Sequence, residues 1–370
     1  MSGAIQWRGL TWPAGGVTRA DVELTTLGWN PEFEKAFAAL AREGRFPARV
    51  AAEHKHAYVL FSEEGELVGE VVGRLLKRGP RSELPAVGDW VVAGWRRGDR
   101  ARVDIHAVLP RRTRFSRRAA GEREEEQVVA ANIDFVFLVS GLDADFSPRR
   151  MERYLALVEA SGARPVIVLN KTDLCRDRQE REARVRALAG EAVPVCWVSA
   201  LRGEGIEALA PYLRPGSTVA LLGSSGVGKS TLANRLLGEE RQATAATRTE
   251  DGKGRHTTTR RELLLLPNGG LLIDTPGMRE LQLWRSAREG LLAVFPEIVE
   301  LARSCRFRDC RHEAEPGCAV RAAVQAGALA ADRFRAFCKL REELESLEAV
   351  GGRRRRRHAP KLPGRRIMRG

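Results

Sequence analysis

Residues 219–238, V-A-L-L-G-S-S-G-V-G-K-S-T-L-A-N-R-L-L-G, constrain the fold more than any other stretch of the chain. An apolar run leads into G-x-x-x-x-G-K-S and then into an amphipathic segment, the order strand, phosphate loop, helix. Gly223, Gly226 and Gly228 let successive backbone N–H groups of Ser224, Ser225, Val227 and their neighbours turn inward around a polyphosphate. Lys229 can reach the β and γ phosphates, the Ser230 hydroxyl can hold Mg²⁺, and Thr231 follows in the first turn of a helix whose positive dipole end faces the same anion. A glycine-rich turn before a core helix would leave the Gly-Lys-Ser triplet unexplained.

The elements before this stretch alternate. Ile133–Val139 is a continuous apolar run suited to a strand buried on both faces, Ser147 and Pro148 open a helix that Gly162 stops, and a second strand runs from Pro165 to Leu169. A polar helix near 177–190, a strand over 193–199 and a helix near 204–213 follow, so the pattern predicts a doubly wound parallel sheet. Asn170-Lys171-Thr172-Asp173 then stands at the ligand-binding edge of that sheet. A carboxylate at Asp173 can accept both N1–H and N2–H of guanine, whereas adenine would leave it unpaired. Asn170 can bond the other edge of the base, the Lys171 stem can cover its face, and Ser199-Ala200 would present the Ala200 N–H to the guanine carbonyl.

Beyond the phosphate loop, Gly254-Arg255-His256-Thr257-Thr258-Thr259 precedes a hairpin ending at Asp274-Thr275-Pro276-Gly277. Asp274 can hold the Mg²⁺ hydration shell, the Gly277 N–H can face the γ phosphate, and Thr258, or Thr257, would supply a hydroxyl to the same ion. Met278 stands where Ras-like enzymes carry a water-orienting Gln. His256 is the nearest substitute for that task, although packing or facing RNA would suit a histidine equally. Cys305-x4-Cys310-x-His312-x5-Cys318 offers three thiolates and an imidazole, enough for a closed structural zinc site. Cys175, Cys196 and Cys338 stand alone as ordinary thiols.

Charge is distributed unevenly. The formal net charge is +14, yet residues 351–370 hold nine Lys or Arg with no acid, and residues 45–118 hold sixteen against nine acids. A polyanion larger than a nucleotide fits such ends. Between Phe46 and about Leu109, five short alternating runs separated by turn residues predict a small barrel, of oligonucleotide-binding (OB) or SH3-like type. The basic loop 74–81 and the run 111–118 are candidate phosphate contacts, with Phe115 a candidate for stacking on a base. Residues 1–45 read as an extension with one helix, about Pro31 to Glu43. No apolar run is long enough to cross a bilayer and the N-terminus lacks a signal pattern, so a cytoplasmic protein is expected.

The base-recognition motifs precede the phosphate loop, the reverse of ordinary GTPases, so the domain reads as circularly permuted. A barrel, a permuted GTPase with G-R-H-T-T-T and D-T-P-G, and C-x4-C-x-H-x5-C together resemble the ribosome small-subunit-dependent GTPase A family, from about residue 46 to 350. The resemblance implies a GTPase that binds the 30S subunit and its rRNA late in maturation and is stimulated by it, with His256, Lys229 and Thr258 as catalytic candidates, one structural zinc, and Mg²⁺ with GTP. The expected organisation is an extension (1–45), an OB-type barrel (46–112), a circularly permuted GTPase domain of α/β class (113–290), a zinc-binding helical domain (291–350) and a basic tail (351–370), acting as a monomer. An RNA-binding module that uses GTP only as a structural or regulatory ligand is the alternative. A metabolic phosphotransferase is disfavoured by N-K-T-D with S-A and by the lack of a visible acceptor site.

Overall fold

The computed structural model describes residues 23–54, 57–78, 81–96, 98–118, 126–238, 261–274 and 287–357. Strands β1 (Arg45–Glu53), β2 (Tyr58–Ser62), β3 (Gly65–Val71), β4 (Trp90–Arg96) and β5 (Asp99–Val108) close into a barrel in the order β1-β2-β3-β5-β4-β1, with β3 and β5 parallel. β1 makes closure possible because it serves two neighbours. Its first half pairs with β4, from Arg45↔Gly94 to Arg49↔Trp90, and its second half pairs with β2 across an irregularity between Val50 and Ala52 that bends the strand. Val50, Leu60, Val91, Val103 and Ile105 fill the interior. This connectivity, with a short helix, Gly73–Arg78, between β3 and β4, is of the OB type.

Two readings of the basic stretch after the barrel change. Residues 114–118 and 126–131 form a hairpin, β6 and β7, which sequence periodicity did not reveal because charged residues stand between its strands. Phe115, expected as a stacking ring, is 3% exposed and belongs to the core. Arg111 is likewise inward. Its Nε and Nη2 donate to the two oxygens of Asp89 at 2.8 and 2.7 Å, and it also donates to the carbonyls of Ser82 and Leu84.

The second sheet consists of β8 (Phe135–Gly141), β9 (Arg164–Asn170), β10 (Val195–Trp197), β11 (Thr218–Leu222), β12 (Glu262–Leu265) and β13 (Leu271–Asp274). Its spatial order is β10-β9-β8-β11-β13-β12, parallel except for the hairpin strand β12. The phosphate-loop strand β11 therefore lies in the middle, with the earlier strands on one side and the later ones on the other. Among the helices, α1 (Pro31–Ala38) is capped by the Asn30 side chain and ends earlier than expected, and α2 is the Gly73–Arg78 turn. α3 (Pro148–Ser161) starts at Ser147 and stops at a left-handed Gly162, α4 spans Arg178–Ala189, and α5 spans Lys229–Leu237. The expected helix near 204–213 is a 3₁₀ segment, Ile206–Tyr212, because Pro211 lacks the amide that an α-helical ladder needs.

Barrel and sheet belong to one compact unit, residues 1–282, and residues 283–370 form a second. Within the first, β1 touches the edge of the second sheet through Ala52↔Glu262 on β12. The second unit contains α6 (Ala287–Val294), α7 (Pro296–Ala302), α8 (Ala319–Gln325) and α9 (Ala331–Arg357). Pro296 sits at the first position of α7 and separates it from α6. α9 continues through Arg357, so the first part of the run read as a tail is helical. No described helix is long and apolar enough to cross a membrane.

Candidate nucleotide and metal sites

β11 is buried along its whole length and delivers the chain to Gly223 at the edge of the sheet. A Cβ on Gly223 would stand 2.3 Å from the Val139 carbonyl oxygen, so only glycine lets the loop leave β11 so close to β8. At the other end of the loop Gly228 has φ +96°, and a Cβ there would stand 2.2 Å from Asn170 Nδ2. Between them Ser225 and Gly226 are exposed. Lys229, the first residue of α5, donates through Nζ to the carbonyls of Gly223 at 2.8 Å and Ser224 at 2.5 Å. Ser230 and Thr231 follow in the first turn of α5.

Asn170, at the end of β9, is 3% exposed and does more than the sequence suggested. Its Nδ2 donates to the Val227 carbonyl at 2.8 Å, and its Oδ1 accepts from the Ala200 amide at 2.9 Å. One side chain thus ties the phosphate loop to both base-recognition loops. The Ala200 N–H, expected to face the guanine carbonyl, is directed at Asn170 instead. Lys171 takes a left-handed turn with φ 64°, and its Nζ donates to Asp143 Oδ2 at 2.5 Å. The Thr172 amide donates to the Val198 carbonyl at 3.2 Å, which links this loop to the end of β10. Asp173 accepts the Ser199 hydroxyl at 2.6 Å and lies 3.9 Å from Arg202 Nε. The loop bearing Ser199 and Ala200 is held from α5, whose Arg235 donates to the carbonyls of Ala200 and Leu201 at 3.3 and 3.0 Å.

The structure therefore brings together Asn170, Lys171, Thr172, Asp173, Ser199, Ala200 and residues 223–231 at one edge of the sheet. Asp274 ends β13 in the same sheet, and only its backbone is described. His256, Thr257, Thr258, Gly277 and Met278 lie outside the described residues. Asp143, Asp145, Arg150 and Arg235 are the neighbours that sequence reasoning missed. A signal was available for the two acids, because D-A-D follows a buried strand at the edge where open α/β sheets bind ligands. A cavity of about 780 Å³ lined by Trp29, Arg112, Phe135, Arg164, Tyr212 and Arg214 lies by the starts of β8, β9 and β11, and no residue of the nucleotide motifs lines it.

In the second unit, Cys305, Cys310, His312 and Cys318 place their donor atoms within 4.8 Å of one another. Cys305 Sγ is 3.7 Å from His312 Nδ1 and 4.0 Å from Cys318 Sγ, and His312 Nδ1 is 3.4 Å from Cys318 Sγ. Zinc bonds of about 2.3 Å to sulfur and about 2.0 Å to nitrogen, arranged tetrahedrally, separate the donors by roughly 3.5–3.8 Å, so the cluster fits a closed four-ligand site. His312 reaches it by a left-handed turn, φ 63°. Cys318 arrives as the N-cap of α8 and accepts the Arg321 amide, which orients its sulfur.

Comparison with known proteins agrees with this geometry. The RsgA GTPase family pattern matches residues 108–284. The chain is 56% identical over 328 residues to the small ribosomal subunit biogenesis GTPase RsgA of Opitutus terrae, a match covering 86% of this chain and 89% of that protein. It is 44% identical over 332 residues to the protein of the same name from Syntrophotalea carbinolica, covering 88% and 90%. Among solved structures, YjeQ from Thermotoga maritima matches with a TM-score of 0.59 at 26% identity, over 82% of this chain and 98% of that one. YloQ, a circularly permuted GTPase, matches with a TM-score of 0.57 at 24% identity, over 84% and 99%, a likeness of fold alone. A sheet whose base-recognition strands precede its phosphate-loop strand, and relatives this similar over nearly the whole length, make this chain a member of the RsgA GTPase family.

Proposed function

We propose that this GTPase works in the cytoplasm on the maturation of the small ribosomal subunit, as a monomer that binds the subunit through rRNA and hydrolyses GTP faster when bound. The observation that supports the target most is the 56% identity over 86% of the chain to a relative of that name. The geometry adds a route for stimulation. β12 lies between the segment carrying His256–Thr258 and the strand leading to Asp274–Gly277, and the barrel strand β1 pairs with that same β12 at Ala52↔Glu262. A polyanion held by the barrel would act on β12, which stands in sequence between the two segments expected to respond to the γ phosphate.

In this reading the phosphate loop, residues 223–231, cradles the phosphates, and Asp173 reads the guanine while Asn170, Lys171, Thr172, Ser199 and Ala200 hold the base loops in register. Lys229 leaves the carbonyls of Gly223 and Ser224 for the phosphate oxygens and stabilises the charge that develops there. Ser230, Thr258 and Asp274 would hold Mg²⁺, which when bound neutralises charge on the β and γ oxygens. The Gly277 N–H is assigned to the γ phosphate from its place in the D-T-P-G motif. Met278 cannot orient water, so His256 takes that role when the subunit is bound. Cys305, Cys310, His312 and Cys318 hold one zinc that fixes the loop between α7 and α8.

The deciding experiment is GTP turnover by the whole protein with and without purified small subunits. Acceleration by the subunit, lost in His256→Ala with GTP affinity retained, is the expected result. A subunit that leaves turnover unchanged overturns the proposal.

A further inference from the structure

The six residues between β8 and α3, Leu142 to Ser147, lie beside both halves of the nucleotide site. Asp145 Oδ2 accepts the hydroxyl of Ser224, the second residue of the phosphate loop, at 2.6 Å. Arg150, in the first turn of α3, donates through Nη1 to Asp145 Oδ2 at 2.6 Å and to Ser224 Oγ at 2.8 Å. The three groups form a closed triangle. Ser224 is engaged on its other side as well, because its carbonyl accepts Lys229 Nζ. Arg150 and the Ser224 hydroxyl hold the Asp145 carboxyl below its usual range, so it stays ionised at neutral pH. Two residues earlier in the same loop, Asp143 accepts Lys171 Nζ and also the Asp145 amide at 3.1 Å.

We propose that Arg150 is a positioning residue for the phosphate loop, acting through Ser224 with Asp145 as its anchor. A phosphate loop binds anions because its N–H groups converge before the ligand arrives, and each residue left free to reorient adds an ordering cost to binding. Among the described residues, the hydrogen bonds of Arg150 reach one motif residue, Ser224, and Ser224 is also the residue whose carbonyl Lys229 grips. Fixing that side chain fixes the peptide units on either side of it. The Asp143–Lys171 pair ties the base loop to the same short segment, so one loop sets the spacing between the phosphate and base sites.

The inference rests on the nucleotide reading of this site. Its test is the binding of GDP and GTP to full-length protein carrying Arg150→Ala, Ser224→Ala, both together, or Arg150→Lys, with thermal unfolding measured on each. Arg150→Ala should weaken GDP and GTP equally, by about five- to tenfold, the range for a partly exposed hydrogen bond to a charged group. KM for GTP should rise by the same factor while kcat stays within about twofold, since an ordering cost falls equally on ground and transition states. Ser224→Ala should cost at least as much, because it also removes the Asp145 contact, and the double variant no more than Ser224→Ala, because Arg150 acts on the loop through Ser224 alone. Arg150→Lys, which can still donate to Asp145 and Ser224, should recover most of the affinity. Affinity like the parent's in Arg150→Ala, or losses that add in the double variant, would refute the positioning role, as would a loss in Arg150→Lys equal to that in Arg150→Ala. Should Arg150→Ala fail to fold, Ser224→Ala and Arg150→Lys decide alone. A parent protein that binds no guanine nucleotide would instead sink the nucleotide reading itself.

Discussion

Replacing Asn170 by alanine separates a structural clamp from a contact to the base. The Asn170 amide is 3% exposed and satisfies the Val227 carbonyl at 2.8 Å and the Ala200 amide at 2.9 Å, groups that belong to residues 2% and 0% exposed. Alanine leaves both without their partner, at about 1–3 kcal/mol for each buried polar group, so the summed loss is about 2–6 kcal/mol. That loss divides between two observables. Whatever part of the site stays collapsed in the free protein appears as a lower urea midpoint, and whatever must be reordered by ligand appears as weaker binding. Fluorescent GDP titration and urea unfolding together should therefore account for about 2–6 kcal/mol, and a share of about 2 kcal/mol in binding alone is about a thirtyfold rise in Kd. Asn170→Asp sharpens the test. It keeps an acceptor for Ala200 but sets a carboxylate against the Val227 carbonyl, so it should bind GDP more weakly than Asn170→Ala. If Asn170→Ala matches the parent in both measurements, or Asn170→Asp binds as the parent does, the clamp is wrong.

Other outcomes follow from single contacts. Asp173→Asn should lower GTP affinity by about a hundredfold or more and favour xanthine nucleotides, because the amide then offers a donor to the 2-oxo group; unchanged GTP titration removes Asp173 from the base site. Elemental analysis of protein purified without chelator should give one zinc per chain, and Cys310→Ser should lower that content; protein free of zinc refutes the site. Arg111→Ala should cost about 3–5 kcal/mol in urea unfolding, since it strands the buried Asp89 carboxylate, whereas Arg112→Ala, whose pair with Asp134 is 31% and 18% exposed, should cost under about 1 kcal/mol. Equal midpoints for these two would show that the Arg111 pair is not held in solution.

The nucleotide site was legible because its chemistry depends on residues close in sequence. A phosphate loop, an N-K-x-D turn and a Cys-His cluster each carry their geometry in local spacing, and the order of the first two along the chain was enough to reveal the permutation. Contacts between distant residues left no such trace. Asp145 and Ser224 are 79 positions apart, and neither belongs to a pattern that predicts the other. The barrel type was ambiguous for the same reason, since OB and SH3-like barrels share the same alternation and differ in which strands pair.

Charge misled most clearly where it was counted without regard to burial. Arg49 adds to the basic balance of the barrel region, yet it is 1% exposed and lies at the joint between barrel and sheet. It donates to the Leu27 carbonyl, to the Gly88 and Asn132 carbonyls at 3.2 Å each, and to Thr218 Oγ1 at 2.9 Å, partners 22 to 169 positions away in sequence. Burial lowers its pKa to about 10 despite the opposing field of Asp134. A guanidinium can still be kept there as a cation, because its planar fork matches several carbonyls at once and its proton affinity is high enough to survive desolvation; lysine, with a compact and strongly hydrated charge, would not substitute. The requirement is geometric: four acceptors from the N-terminal segment, the barrel, the following linker and β11 converge on one group. Part of the positive charge that suggested an RNA surface thus holds the barrel against the strand that carries the phosphate loop, and only the arginines left at the surface are free to meet a polyanion.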